Sequence, residues 1–156
     1  MDGRMMHVPL RVTPFLARAE RYFGARELVT RTAQGVHRTR WSEIGERARR
    51  LASSLAQLGL APFERVATLA WNTHRHVELY YAVPGAGLVL HTLNLRLHAD
   101  QLAWIATHAD DRVIFVDDSL VPLLESIAPK LPHVRAYVLM GDGPLPRTTL
   151  APAYRY

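Results

Sequence analysis

The chain has 156 residues, 49% of them hydrophobic and 21% charged, a balance that suits a globular domain and excludes disordered and fibrous classes. It contains no cysteine, which excludes disulfides, thiolate metal sites and a cysteine nucleophile. The net charge of +5 raises nucleic acid as a partner, but the arginines are spread along the whole chain, and the densest group, Arg38 to Arg50, is interleaved with Glu43 and Glu46. Arg47 and Arg50 each stand four residues after one of those glutamates, the pattern of a solvated helix face with ion pairs, so no nucleic acid is expected.

Thr13-Pro14 predicts a helix start, a capping hydroxyl followed by proline at the first helical position, with Phe15, Leu16, Ala19 and Phe23 on one face and Gly24 as the stop. Glu27 to Arg31 and Val36 to Trp41 flank the turn Thr32-Ala33-Gln34-Gly35 and predict a hairpin. From Ser42 the period changes to 3.6, with Ile44, Ala48, Leu51, Leu55 and Leu58 on one stripe of a long helix closed by Gly59. Val66 to Trp71 predicts a buried strand, followed by a helix capped by Asn72 or Thr73 that runs to about Val83 and is bent or ended by Pro84.

The stretch Val83 to Asp118 is the organising unit. Val89 and Leu90, then Arg112 to Val116, predict two strands, and between them Leu102, Ile105, Ala106 and Ala109 fall on one helix face. Strand, crossover helix and strand predict a parallel pair, hence an α/β fold class. A further helix carries Leu120, Leu123, Leu124 and Ile127 behind the caps Asp117, Asp118 and Ser119, and Ala136 to Met140 predicts one more strand. Together these make a small parallel sheet flanked by helices, with an N-terminal helix and hairpin. Residues 1–156 are read as a single partial domain, with 141–156, opened by Gly141-Asp142-Gly143-Pro144-Leu145-Pro146, as an unstructured, truncated end.

The longest apolar run, Leu79 to Leu90, is broken by Pro84, Gly85 and Gly87 and falls short of the ~18 residues of a transmembrane segment. The first twelve residues lack an apolar signal core, so a cytoplasmic location is the default expectation, with peripheral membrane contact left open.

The runs Val83-Pro84-Gly85, Leu90-His91-Thr92-Leu93-Asn94, Arg96-Leu97 and Asp111-Arg112-Val113-Ile114-Phe115-Val116-Asp117, in that order, resemble the N-terminal part of AMP-forming acyl-CoA synthetases, above all bacterial medium- and long-chain fatty acyl-CoA synthetases. The resemblance extends from about Thr13 to Met140. It implies an incomplete N-terminal subdomain of an AMP-binding domain, and for the complete enzyme a reaction of ATP, fatty acid and CoA to acyl-CoA, AMP and pyrophosphate with Mg²⁺. The family's Ser/Thr/Gly-rich phosphate loop ending in Pro-Lys-Gly is absent from these 156 residues. The one substitute, Gly141-Asp142-Gly143, places a carboxylate where phosphate should sit. No catalytic, cofactor-binding or metal residue is therefore assigned, and the chain is expected to be inactive alone. The resemblance also implies a homodimer. The alternative is a freestanding, non-enzymatic α/β interaction module that self-associates or docks on a full-length synthetase.

Two departures from relatives stand out: His98 where Ser or Thr commonly caps the central helix, with Gln101 three residues on, and Leu95 where proline is frequent. His91, Thr92 and Asn94, at the carboxyl end of a strand, are the candidate ligand-facing loop residues, with His91 also able to tie the loop through a ring hydrogen bond. His74 and His76 point in different directions on a helix and predict no metal site. The pairs Asp110-Asp111 and Asp117-Asp118 sit on opposite faces within each pair and read as turn residues and caps. Gly85-Ala86-Gly87 follows a helix and precedes a strand, the reverse of a dinucleotide-binding turn. Trp41, Trp71 and Trp104 are expected as half-buried rings.

Overall fold

The first element of the computed structural model, which describes residues 9–32 and 35–156, is helix α1 (Thr13–Phe23). Val12, not Thr13, occupies its N-cap, and no side chain caps it. Gly24 keeps a right-handed conformation, and its carbonyl accepts from the Ser42 amide at 3.2 Å and hydroxyl at 3.1 Å. Strands β1 (Glu27–Thr32) and β2 (Gly35–Arg40) form the expected antiparallel hairpin, whose central turn residues 33 and 34 lie outside the described residues, as do residues 1–8.

Helix α2 (Trp41–Gln57) buries Ile44, Ala48 and Leu55, the predicted stripe. Glu43 turns back to accept from the Arg40 amide at 2.7 Å and the Thr39 hydroxyl at 3.0 Å, satisfying a donor the first turn leaves free. Arg50 pairs with Glu46 as the spacing predicts, but Arg47 leaves Glu43 for Glu78 of α3 (His74–Gly85) at 2.6 Å. Glu78 is fully buried, and a buried carboxylate without a cation is far costlier than an exposed pair forgone. Pro84 lies inside the last turn of α3, which ends one residue later.

The remaining strands are β3 (Arg65–Leu69), β4 (Val89–Thr92), β5 (Asp111–Asp117), β6 (Ala136–Met140) and β7 (Ala153–Arg155). They form one parallel sheet in the order β4-β3-β5-β6-β7. Two expectations are corrected here. The strands of the central unit, β4 and β5, are parallel but not neighbours: helix α4 (Ala99–His108) carries the chain across β3, which pairs with both. The end of the chain is not wholly unstructured, because Ala153–Arg155 completes the sheet against Tyr137–Leu139. Three residues without an apolar run give no strand period; β7 exists because β6 otherwise leaves a row of backbone groups unpaired.

A parallel sheet has to be covered on both faces. Ala67, Leu69, Ile114, Val116 and Leu139 pack under α4 and α5 (Val121–Ile127), while Val66, Phe115, Val138 and Met140 pack under α2 and α3. The alternation within each strand is the period-two pattern of a sheet buried on both sides, where each fully buried Leu, Ile or Phe contributes ~1.5–3 kcal/mol. In α4 the His98 imidazole replaces the hydroxyl cap, accepting from the Asp100 amide at 3.3 Å, and Gln101 accepts from the His98 amide at 3.2 Å. Leu95, where proline is frequent, packs on the core instead.

Candidate functional site at the carboxyl edge of the sheet

The strand order creates one topological switch point. From β3 the chain passes through α3 on one face; from β5 it passes through α5 on the other. The carboxyl ends of these adjacent strands are therefore not roofed by a common connection, and ligands of open α/β sheets collect in such crevices. A cavity of about 570 Å³ lies there, walled by Trp71 to Thr73 after β3, Asp117 to Ser119 after β5, Met140 to Asp142 after β6, and Arg31 and Thr32 of the hairpin.

Its floor is laced by short polar contacts. The Trp71 amide donates to Asp117 Oδ2 at 2.6 Å and the indole N–H to Ser119 Oγ at 3.0 Å, tying the ends of β3 and β5 together. Burial raises the Asp117 carboxyl above its ordinary range, with the Trp71 hydrogen bond opposing. Asp118 accepts both arms of Arg155 from β7, at 2.7 and 2.9 Å, the bidentate geometry that makes Arg–carboxylate pairs strong. Gly141 makes room for that clasp: a Cβ there would stand 1.8 Å from Asp118 Oδ2. Arg75 at the start of α3 holds Asp142. The Thr73 hydroxyl, at the α3 N-cap, has no partner among the described residues.

The crevice offers donors and one unused hydroxyl but no nucleophile held by a base. Among the described residues no three histidine, aspartate or glutamate side chains converge on a metal position. Gly141 to Gly143 leads into no helix, and the Asp142 carboxylate sits against Arg75, so the residues present do not fit a nucleotide phosphate or its Mg²⁺.

A second cavity, of about 370 Å³, opens on the α2 face of the sheet, between α2, Phe115, Val138 and Tyr156. Its polar wall is a relay in which Arg47 and the Tyr156 hydroxyl both donate to Glu78. Burial, reinforced by the Glu78 carboxylate, pushes the Tyr156 hydroxyl well above its ordinary value.

The candidate loop residues lie one strand away from the switch point. His91 Nδ1 is 2.9 Å from both oxygens of Asp111 at the start of β5, so the pair reaches across β3, where the small Ala67 stands in register with His91. Thr92 is exposed at the end of β4, and Asn94 is exposed on the following loop, its side chain accepting from the Arg96 amide at 3.1 Å. The structure thus brings His91 to a carboxylate of β5, away from its own loop, and does not gather the three into one pocket. The residues that wall the switch point, Trp71, Asp117 and Ser119, carry no motif. Strand order is what exposes them, and the one local signal was a polar run after each buried strand.

Other sequence-level expectations change in detail. His74 and His76 are both buried. His76 Nε2 meets the Thr68 hydroxyl at 3.0 Å, and His74 stacks on His37 with ring centroids 3.9 Å apart. Burial lowers both, His74 to about 4. The aspartate pairs do diverge, but Asp117 and Asp118 bond across the sheet instead of capping, and Asp110 meets Arg65, Arg112 and His133. Trp104 is 65% exposed rather than half-buried and stacks on His108.

Residues 15–154 match the family model described as AMP-binding enzyme, and the chain belongs to that family. Within it the relatives are acyl-CoA ligases. The chain is 49% identical over 142 residues to the 3-methylmercaptopropionyl-CoA ligase of Ruegeria pomeroyi and 47% over 142 residues to a medium-chain-fatty-acid–CoA ligase of Ectopseudomonas oleovorans. It is 46% identical over 139 residues to a long-chain-fatty-acid–CoA ligase of Thermus thermophilus. These matches cover 90%, 90% and 88% of this chain but 26% of each relative, so the chain spans about a quarter of their length. Among solved structures, an anthranilate CoA ligase in complex with anthranoyl-AMP superposes with a TM-score of 0.78 at 22% identity, over 90% of this chain and 27% of that one. A Mycobacterium tuberculosis fatty acyl CoA synthetase superposes at 0.73 and 21% identity, over 83% and 26%. The structural matches establish the fold.

The His91–Asp111 clasp carries a pH signature. The Asp111 hydrogen bond raises His91, and burial raises Asp111. A histidine whose folded value is raised contributes stability that is complete below its unfolded value of ~6.5 and is lost as pH rises through the raised one. Urea unfolding of the wild type should therefore weaken as pH rises above neutrality, and His91→Gln should flatten that decline. An identical decline in the variant would show that the clasp does not titrate there.

Proposed function

We propose that this chain is the amino-terminal α/β portion of a fatty acyl-CoA ligase, an enzyme that joins a fatty acid to CoA through an acyl-adenylate at the expense of ATP. The observation that carries this reading is 46–49% identity to ligases named for medium-chain, long-chain and 3-methylmercaptopropionyl substrates. In the complete enzyme these 156 residues supply a rigid parallel sheet whose switch-point edge is a docking surface, and the adenylating groups come from elsewhere. The absence of a Pro-Lys-Gly loop from the sequence and the Arg75–Asp142 contact support that division of labour. No described helix is long and apolar enough to cross a membrane. Incubated with ATP, Mg²⁺, a fatty acid and CoA, the isolated chain should yield no acyl-CoA above a protein-free control, and sustained thioester formation would overturn that division of labour.

Self-association belongs to the same reading. Strands β4 and β7 end the sheet with one ladder each, and Val89 and Tyr154 are exposed on them. Open edges of this kind pair with other chains. Sedimentation velocity should show species heavier than 17.6 kDa that grow with concentration through the micromolar range, whereas a single monomer boundary throughout would contradict it.

A further inference from the structure

Helix α1 buries one residue, Leu16, against α2 and α3, half-buries Ala19 and Glu20, and leaves the rest of its side chains exposed. Phe15, Arg18 and Tyr22 follow at i, i+3 and i+7, a single stripe on the side away from Leu16. Phe15 is 66% and Tyr22 61% exposed, and Val12 and Phe23 flank them. Arg11, Arg18, Arg21 and Arg26 are all exposed on the same segment. The guanidinium groups of Arg18 and Arg21 lie 5.3 and 5.5 Å from the centre of the Tyr22 ring. Between Pro9 and Arg26 the sequence has one acidic residue, Glu20, and Arg49 of α2 already holds it at 2.8 Å. The segment therefore presents four cations and, with Leu10, five large apolar side chains, with no free carboxylate.

Solvent alone does not explain this composition. A helix that only needed to stay in water would carry charges of both signs and few bare rings. Rings at the level of guanidinium groups are the arrangement of an interfacial helix, in which aromatic bodies enter the acyl boundary while arginines reach the phosphates. We propose that the outward face of α1, centred on Phe15, Arg18 and Tyr22, docks the protein on an anionic lipid surface. Charge complementarity selects this occupant: the patch is wholly cationic at its polar positions, and a bilayer rich in acidic phospholipid presents phosphate above hydrocarbon over an extended plane. The inference does not rest on the ligase assignment, since it uses only the exposed chemistry of one helix.

The test is flotation of the full chain with vesicles of phosphatidylcholine alone and of phosphatidylcholine mixed with phosphatidylglycerol, at low and high salt. The wild type should float with the mixed vesicles at low salt, be released by high salt, and ignore the neutral ones. Arg18→Gln combined with Arg21→Gln should weaken binding roughly 30-fold, from two basic contacts removed. Phe15→Ser combined with Tyr22→Ser should also lose binding, and because all four side chains are exposed the variants should keep the wild-type circular dichroism and melting curve. Absence of flotation, equal binding to neutral vesicles, or binding untouched by either double variant would each overturn the proposal. So would concentration-dependent self-association that Phe15→Ser with Tyr22→Ser abolishes in a chain that does not float, which would make the face a contact between copies.

Discussion

The two ladders of β3 hold the rest of the molecule in place. One runs to β4 and the other to β5, so this five-residue strand is hydrogen-bonded on both sides and buried above and below. Because the chain leaves β3 in one direction and returns across it to β5, right-handed connections send α3 to one face and α4 and α5 to the other. Both faces are covered by that single reversal. The same reversal leaves the crevice between the ends of β3 and β5 without a roof. The candidate site is in this sense a consequence of topology, furnished afterwards by Trp71, Asp117 and Ser119.

Charged residues serve the fold before they serve any ligand. Glu78 is buried yet held by Arg47, linking α3 to α2; Asp111 is held by His91 across β3; Asp118 and Arg155 fasten β7 to the end of β5. Removing Arg47 or His91 would strand the buried carboxylate of Glu78 or Asp111, a penalty of ~3–5 kcal/mol, whereas the partly exposed Asp118–Arg155 pair is screened by solvent and contributes less. The arginine-rich composition that first suggests nucleic acid is thus partly consumed inside the structure. The unpaired remainder is concentrated on α1 and the segments beside it, beside bare aromatic rings.

Much of this fold was legible in the sequence, and the physics separates what was from what was not. Strands β3, β4, β5 and β6 were readable because each is an apolar run between turn residues, and α2 because its stripe repeats at Ile44, Ala48 and Leu55. The order of the strands was not readable, since nothing local to Val89 or Val113 says that β3 will lie between them. β7 escaped notice because Ala-Tyr-Arg has no period and owes its conformation to the open edge of β6. The site followed the same logic. His91, Thr92 and Asn94 were sensible choices for residues at a strand end, but the switch point belongs to β3 and β5 and could be located only once their adjacency was known. Asp117 before a helix reads as a cap; in three dimensions the Trp71 amide at the end of the neighbouring strand competes for it and wins.

The proposal at the centre of this account is that the chain supplies scaffold to an acyl-CoA ligase while nucleotide is bound by residues outside these 156, a reading supported by family membership and by the lack of a Pro-Lys-Gly loop in the sequence. Calorimetric titration of the purified chain with ATP and Mg²⁺ tests that claim most directly. The account predicts no saturable heat at millimolar nucleotide. A saturating isotherm with one ATP per chain would contradict it and would place a nucleotide site within these residues.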